Sequence, residues 1–272
     1  PNIVVIMTDD QRWDLAAHMP QLQALLVNQG TTFTRGFVTT PLCCPSRSSV
    51  LTGQYAHNHG VLTNDIGFSG FNDASTLATW LHTAGYTTGL IGKYLNGYLP
   101  NLTTLYIPTG WDWFIAFATK PNYYSYRLTN YVEGVNGGTS PHGSLTADYS
   151  TDVLSSKAVD FLNSTETTDA TPFFLLITPF APHGPSIVAP RHKGLPLTLP
   201  LYRPPSFNEA DVSDKPAWVR SRPLLSASTI SSIDARRKKM VKTLWAVDDL
   251  IENLINILSL NGELDHTVIL FL

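Results

Sequence analysis

Charge is scarce in this chain. Only 14% of its 272 residues are Asp, Glu, Lys or Arg, and they leave a formal net charge of −3. That balance supplies no basic surface for nucleic acid or for an anionic membrane. Long apolar runs are missing too, so nothing in the sequence reads as a membrane span. Cysteine is confined to two adjacent positions, Cys43 and Cys44, which excludes a conventional disulfide framework. No internal repeat or separate linker interrupts the chain. What remains is 43% hydrophobic, enough for one large domain with a substantial core and unlike a disordered composition.

Apolar patterning organises the rest. Asn2 to Met7 is a β-branched run that reads as a buried strand. Met19 to Gln29 has helical spacing and closes on Gly30; Ala74 to Ala84 repeats this and closes on Gly85. Thr87 to Ile91 and Phe173 to Thr178 read as strands, Asp148 to Asn163 and Ala235 to Leu260 as helices, and Thr267 to Leu272 as a last strand. Residues 184–230, rich in proline and polar groups, read as a long irregular excursion. Tyr106 to Gly138, rich in aromatics and glycine, reads as surface loops near a site. Strands alternating with helices predict an α/β fold, a largely parallel sheet with helices on both faces. Such sheets bind ligands beyond the carboxyl ends of their strands. Asp9-Asp10, Lys93 and His183 each follow a predicted strand, so this topology brings them to one edge.

The most informative segment is Cys43-Cys44-Pro45-Ser46-Arg47. Proline is favoured in a first helical turn, which puts a thiol just outside a helix start and an arginine one turn inside. Unpaired N–H groups and a positive partial charge there suit an anion and lower the pKa of a cysteine. Taken one by one, the polar residues keep two readings each. Asp9 and Asp10 form a capped turn or ligate a hard cation through oxygen. Cys43 is a packed thiol or a nucleophile. Arg47 makes a surface ion pair or forks onto an oxyanion. Lys93 is solvated or holds an anionic oxygen. His183 is a hydrogen-bonded loop histidine or a general acid.

Cys43-x-Pro45-Ser46-Arg47, followed by Leu51-Thr52-Gly53, resembles the signature of the sulfatase family. Pro1 to Gln11 resembles the family's opening strand and metal-binding aspartate pair, Gly92-Lys93-Tyr94 its lysine motif, and Ala181-Pro182-His183 its histidine motif. Tyr55 to Val61, Gly92 to Tyr98 and Trp245 to Asp249 resemble the branch holding N-acetylglucosamine-6-sulfatases and fungal arylsulfatases. The resemblance covers essentially the whole chain. It implies an alkaline-phosphatase-like fold and hydrolysis of a sulfated small molecule or glycan. It implies that a formylglycine-generating modification system oxidises Cys43 to an aldehyde. In the implied reaction one hydroxyl of the hydrated aldehyde attacks sulfur and the alcohol leaves; the second hydroxyl then loses its proton and sulfate is expelled. Arg47, Lys93 and His183 are the implied catalytic partners, with His183 as general acid or contact to the leaving oxygen. Asp9, Asp10 and residue 43 are the implied ligands of calcium rather than magnesium. Cys44 is expected to pack. His59 and Asn96 face substrate or serve turns, and His18, His82, His192 and His266 have no motif support.

Two departures stand out. Leu95 occupies the place where many sulfatases carry histidine. In the family the strand matching Val268 to Leu272 leads into an Asp-Asn pair that completes the metal site, and a later lysine contacts sulfate; this sequence contains neither. The expectation is an N-terminal catalytic domain over residues 1–272, incomplete at its C-terminal end and without the smaller C-terminal domain, so weakly active or inactive as it stands. Pro1 without a methionine is read as a leader removed or omitted. The sequons at Asn101 and Asn163, with the resemblance, point to a secreted or lysosomal/vacuolar protein. Two other functions stay open: a phosphoryl hydrolase of the alkaline-phosphatase-like group, against which Cys43 speaks, and a non-catalytic binding protein derived from a sulfatase.

Overall fold

A computed structural model describes residues 1–98, 105–166 and 171–272. Among them, strands β1 (Asn2–Ile6), β2 (Thr87–Gly92), β3 (Trp113–Ala116), β4 (Tyr126–Val132), β5 (Val135–His142), β6 (Phe173–Thr178) and β7 (Thr267–Phe271) form one sheet, in the order β5-β4-β3-β2-β6-β1-β7. β3, β2, β6, β1 and β7 are parallel, and β4 and β5 add an antiparallel edge. The α-helices are α1 (Cys43–Thr52), α2 (Ala56–His59), α3 (Leu77–Thr83), α4 (Ser150–Thr165), α5 (Pro190–Lys193), α6 (Ala217–Arg220) and α7 (Ala227–Leu260). This is the expected α/β architecture.

The central strands are apolar on both faces because both faces are covered. In β6, Phe173, Leu175 and Ile177 pack toward α4 and α7, while Phe174 and Leu176 pack toward Leu51 of α1 and Ala78 of α3. β1 alternates in the same way, with Val4 and Ile6 on the first face and Val5 on the second. β7 departs from this pattern. Its Ile269 and Phe271 pack against the first core, but Val268 and Leu270 are exposed.

Several boundaries differ from the sequence reading. The helix expected over 19–29 is largely a π-helix over Leu22–Val27. The long helix begins at Ala227, eight residues earlier than expected, where Ser226 caps it by accepting from the Thr229 N–H. The expectation of loops over 106–138 is wrong. That stretch contains β3, β4 and the first half of β5. Trp113 and Ile115 fill one core and Phe114 and Ala116 the other, so the aromatics are strand residues of a buried sheet. The glycine that looked loop-like belongs to a two-residue turn, Glu133-Gly134, where both φ angles are positive (51° and 79°). Such a turn matches the twist of a hairpin. Residues 184–230 are irregular apart from α5, α6 and the first turn of α7. The sequon at Asn101 lies outside the described residues, while Asn163 is exposed on α4.

Candidate functional site

The site begins where β1 ends. The Met7 N–H donates to the Ile177 carbonyl (2.9 Å), the Thr8 N–H to that of Leu272 (3.2 Å) and the Asp9 N–H to that of Ala181 (3.1 Å). The strand therefore stays paired until it delivers Asp9 at the carboxyl edge of the sheet. Asp10 then takes φ 63°, a left-handed conformation that aspartate tolerates, and the chain leaves the sheet. Asp9 is 3% exposed. Its Oδ2 lies 2.5 Å from Lys93 Nζ and its Oδ1 3.6 Å from an Arg47 nitrogen. Burial pushes the Asp9 carboxyl up, but the Arg47 and Lys93 charges and the Lys93 hydrogen bond outweigh it and hold the group below its ordinary value.

Gly92 positions Lys93. It has φ +126°, and a Cβ there would lie 2.2 Å from the Thr178 carbonyl oxygen, so the close passage of β2 past β6 requires glycine. Beyond it, the Lys93 N–H donates to the Thr178 carbonyl (2.8 Å). The Lys93 carbonyl accepts from Arg47 and from the Thr178 hydroxyl, each at 2.7 Å. Arg47 thus serves two groups, a backbone carbonyl and the Asp9 carboxylate, while 3% exposed.

Cys43 is the first residue of α1 rather than lying just outside it. Its Sγ donates to Asp9 Oδ1 at 3.6 Å. The lowered pKa expected from the helix start is not found. Burial pushes the thiol up, Asp9 and Asp10 add to that, and Lys93 and Arg47 oppose it. Cys44 is fully buried, as expected of a packing residue. Its Sγ accepts from the Asn96 N–H at 3.0 Å and its N–H donates to Asn64 Oδ1 at 2.9 Å. The Asn96 bond ties α1 to the turn after Lys93, in keeping with a turn role for Asn96, while the role of Asn64 was announced by no motif.

His183 follows β6. Its Nδ1 bonds to the Gly184 carbonyl at 2.7 Å; a carbonyl only accepts, so Nδ1 carries hydrogen and Nε2 is the atom turned to the site. Nε2 lies 3.5 Å from Asp10 Oδ2. Ligand atoms of Asp9, Cys43 and His183 lie within 4.8 Å of one another, a spacing that can hold a cation. Thus Asp9, Asp10, Cys43, Arg47, Lys93 and His183 all meet at one place. Beside them opens a cleft of about 480 Å³, lined by Asp9, Asp10, Cys43 and Arg47 together with Phe37, Val38, Leu42 and Leu272.

Other candidates fall elsewhere. His59 Nδ1 accepts from the Val61 N–H (3.1 Å), which leaves Nε2 to donate to Ser49 Oγ (3.1 Å); the imidazole braces α1. Leu95 is buried among apolar side chains. In the Trp245 to Asp249 segment, the buried Asp248 accepts from the N–H groups of Gln21 and Leu22 at 2.8 and 2.7 Å and so caps the π-helical segment.

A family model described as Sulfatase matches residues 1–272. The chain is 34% identical over 284 residues to N-acetylglucosamine-6-sulfatase of Homo sapiens, covering 100% of this chain and 50% of that protein. It is 35% identical over 280 residues to the Extracellular sulfatase SULF-1 homolog of Drosophila melanogaster, covering 100% of this chain and 24% of that one. The chain thus spans half or less of the length of these relatives. Among solved structures, one of a protein in complex with its substrate D-glucosamine-2-N,6-O-disulfate superposes with TM-score 0.73 at 24% identity, covering 100% of this chain and 64% of that one. The phosphonate monoester hydrolase of Agrobacterium radiobacter superposes with TM-score 0.72 at 21% identity, covering 100% and 62%. The match along its whole length and the identity to curated relatives show that this chain belongs to the sulfatase family.

Proposed function

We propose that the protein hydrolyses sulfate esters, with residue 43 carrying the nucleophile and Arg47, Lys93 and His183 as its catalytic partners. The observation that carries this reading is the meeting of Cys43 Sγ, an Asp9 oxygen and a His183 nitrogen within 4.8 Å, at a point where Lys93 and Arg47 also converge on Asp9. A thiol pushed up by burial is a poor nucleophile at neutral pH. Formylglycine made from Cys43 supplies instead an oxygen nucleophile that can also release the sulfate it takes up.

The donor set fits a hard cation. Asp9 and Asp10 offer carboxylate oxygens; a thiol at 43 is foreign to calcium, whereas an oxygen there suits it. Lys93 and Arg47 flank Asp9, and a carboxylate has further lone pairs for a cation. Asp9, Asp10 and residue 43 would hold calcium, which supplies positive charge to the sulfate oxygens. Calcium takes about six to eight oxygens, so water or other groups complete the set.

The protein's own residues then divide the work. Arg47, anchored on the Lys93 carbonyl, orients residue 43 and offsets charge. Lys93 turns its ammonium toward an oxygen of the bound sulfate as charge develops there. His183 in its doubly protonated form donates Nδ1–H to the Gly184 carbonyl and can deliver its Nε2 proton to the leaving oxygen. The relatives' names favour a glycan bearing N-acetylglucosamine 6-sulfate, or an aryl sulfate, as substrate. A secreted or lysosomal route, served by a modification system that oxidises Cys43, accords with the extracellular name of one relative and the exposed Asn163. No described helix is long and apolar enough to cross a membrane.

Peptide mass spectrometry across Cys43 and turnover of 4-nitrophenyl sulfate, on one preparation co-expressed with a modifying enzyme, test the proposal. The expected result is exchange of the thiol for an aldehyde and sulfate release that Cys43→Ala abolishes. Release that persists in Cys43→Ala, or a modified chain that turns nothing over, overturns it. The fold shared with a phosphonate monoester hydrolase gives a second reading, which faster turnover of an aryl phosphonate ester would favour.

A further inference from the structure

His183 sits on a loop and its side chain is about one-third exposed; local bonds hold its backbone, to the Phe180 carbonyl and from the Ser186 N–H, and its Nδ1, to the Gly184 carbonyl. An acid that must meet a leaving oxygen needs a defined place, and support from beyond the loop adds to these bonds. Behind the loop lies Tyr123, from the connection between β3 and β4, with no exposed surface. Its hydroxyl donates to the His183 carbonyl at 2.7 Å. Its ring lies 5.3 Å from that of Phe180, and Phe180 in turn stacks on the His183 imidazole at 4.5 Å and 29°. Tyr123 thus reaches the histidine twice, through its backbone and through its ring. On its other side Tyr123 stacks against Tyr149 at 5.8 Å, and its carbonyl accepts from the Ser150 N–H at 3.0 Å, so the brace is rooted in the start of α4. Burial, with Tyr149 and the Asp9 and Asp10 charges adding to it, pushes the Tyr123 phenol far up, which keeps the hydroxyl a donor at every working pH.

We infer that Tyr123 is a positioning residue for His183: its hydroxyl and ring, acting with Phe180, fix the imidazole against the leaving-group side of the site. The inference rests on the sulfate-ester reading for its catalytic consequence but not for its geometry. A poorly placed acid matters most when the leaving alcohol needs the proton most. Tyr123→Phe, which keeps the ring and removes the hydroxyl, should therefore be read on two substrates. Turnover of N-acetylglucosamine 6-sulfate, an alkyl ester, should fall by about tenfold, whereas that of 4-nitrophenyl sulfate should fall by less than about threefold, with KM little changed in both. In a His183→Ala background the same change should add nothing. Tyr149→Phe, which removes an equally buried hydroxyl bonded to the Ile187 carbonyl at 2.9 Å, should lower the melting temperature similarly without dependence on the leaving group.

Equal losses on the two esters, or an undiminished effect without His183, overturn the inference. Crystallography of the wild-type and Tyr123→Phe proteins reads the same claim without turnover. The imidazole should leave its place over Phe180 in the variant; superposing imidazoles overturn the inference. A wild-type protein inert on both esters counts against the proposed function alone, because the crystallographic comparison still decides about Tyr123. Should Tyr123→Phe not fold, Phe180→Leu removes the ring beneath the imidazole and carries the same two-ester expectation and the same refutation.

Discussion

The two walls of the site are built to different standards. One is closed: Asp9, Arg47 and Lys93 are each under 5% exposed and satisfy one another, and the Lys93 carbonyl has two donors. The other is open: Phe37 is 90% exposed and Val38 67%. The difference teaches that the charges of this site are organised by the sheet edge itself, before anything lies across the cleft. Buried charges tolerate no missing partner, whereas exposed apolar groups lose little by substitution.

The comparison can be broken hardest at Lys93. Lys93→Met removes the nearest cation from the buried Asp9 carboxylate, and should cost about 3–5 kcal/mol, read by urea unfolding, as well as turnover. Gly92→Ala comes next. Its methyl would meet the Thr178 carbonyl at 2.2 Å in a backbone region that side chains avoid, so a loss of about 2–4 kcal/mol is expected by the same measurement. Acid probes the closed wall without mutation. The Asp9 carboxyl is held below its ordinary 3.8, so its contribution is complete above that pH and is lost as pH falls through the lowered folded value. Denaturant midpoints should drop on acidification below about pH 4, and the part due to Asp9 should shrink in Lys93→Met, which removes one of the cations that lower this carboxyl. The open wall should respond least. Phe37→Ser should change stability by less than about 0.5 kcal/mol, while reducing binding of a hydrophobic dye. A large loss of stability there would erase the contrast between the walls.

Much of this was legible from the residues. Strands such as β1 and β6 are continuous apolar runs, and such runs declare burial on both faces. The positions of Asp9, Lys93 and His183 just after strands were enough to place them at one edge. The β4–β5 hairpin was not legible, because its Glu133-Gly134 turn lies amid a composition that resembles loop, and only pairing across strands tells the two apart. The pKa of Cys43 was misjudged because the helix start is visible in sequence, while burial and the neighbouring carboxylates appear only in three dimensions. Asn64, Tyr123 and the capping role of Asp248 were missed for the same reason. Each acts through backbone groups remote in sequence, and side chain–backbone bonds of that kind leave no periodic trace.

The adjacent cysteines carry a last consequence. One sulfur opens on the cleft, and the other is sealed in the core with an amide hydrogen directed at it. A mild alkylating reagent applied to the native, unmodified chain should therefore count one thiol, and the second should appear only on denaturation. The number of equivalents consumed becomes a simple gauge of whether α1 remains docked on the turn beside it.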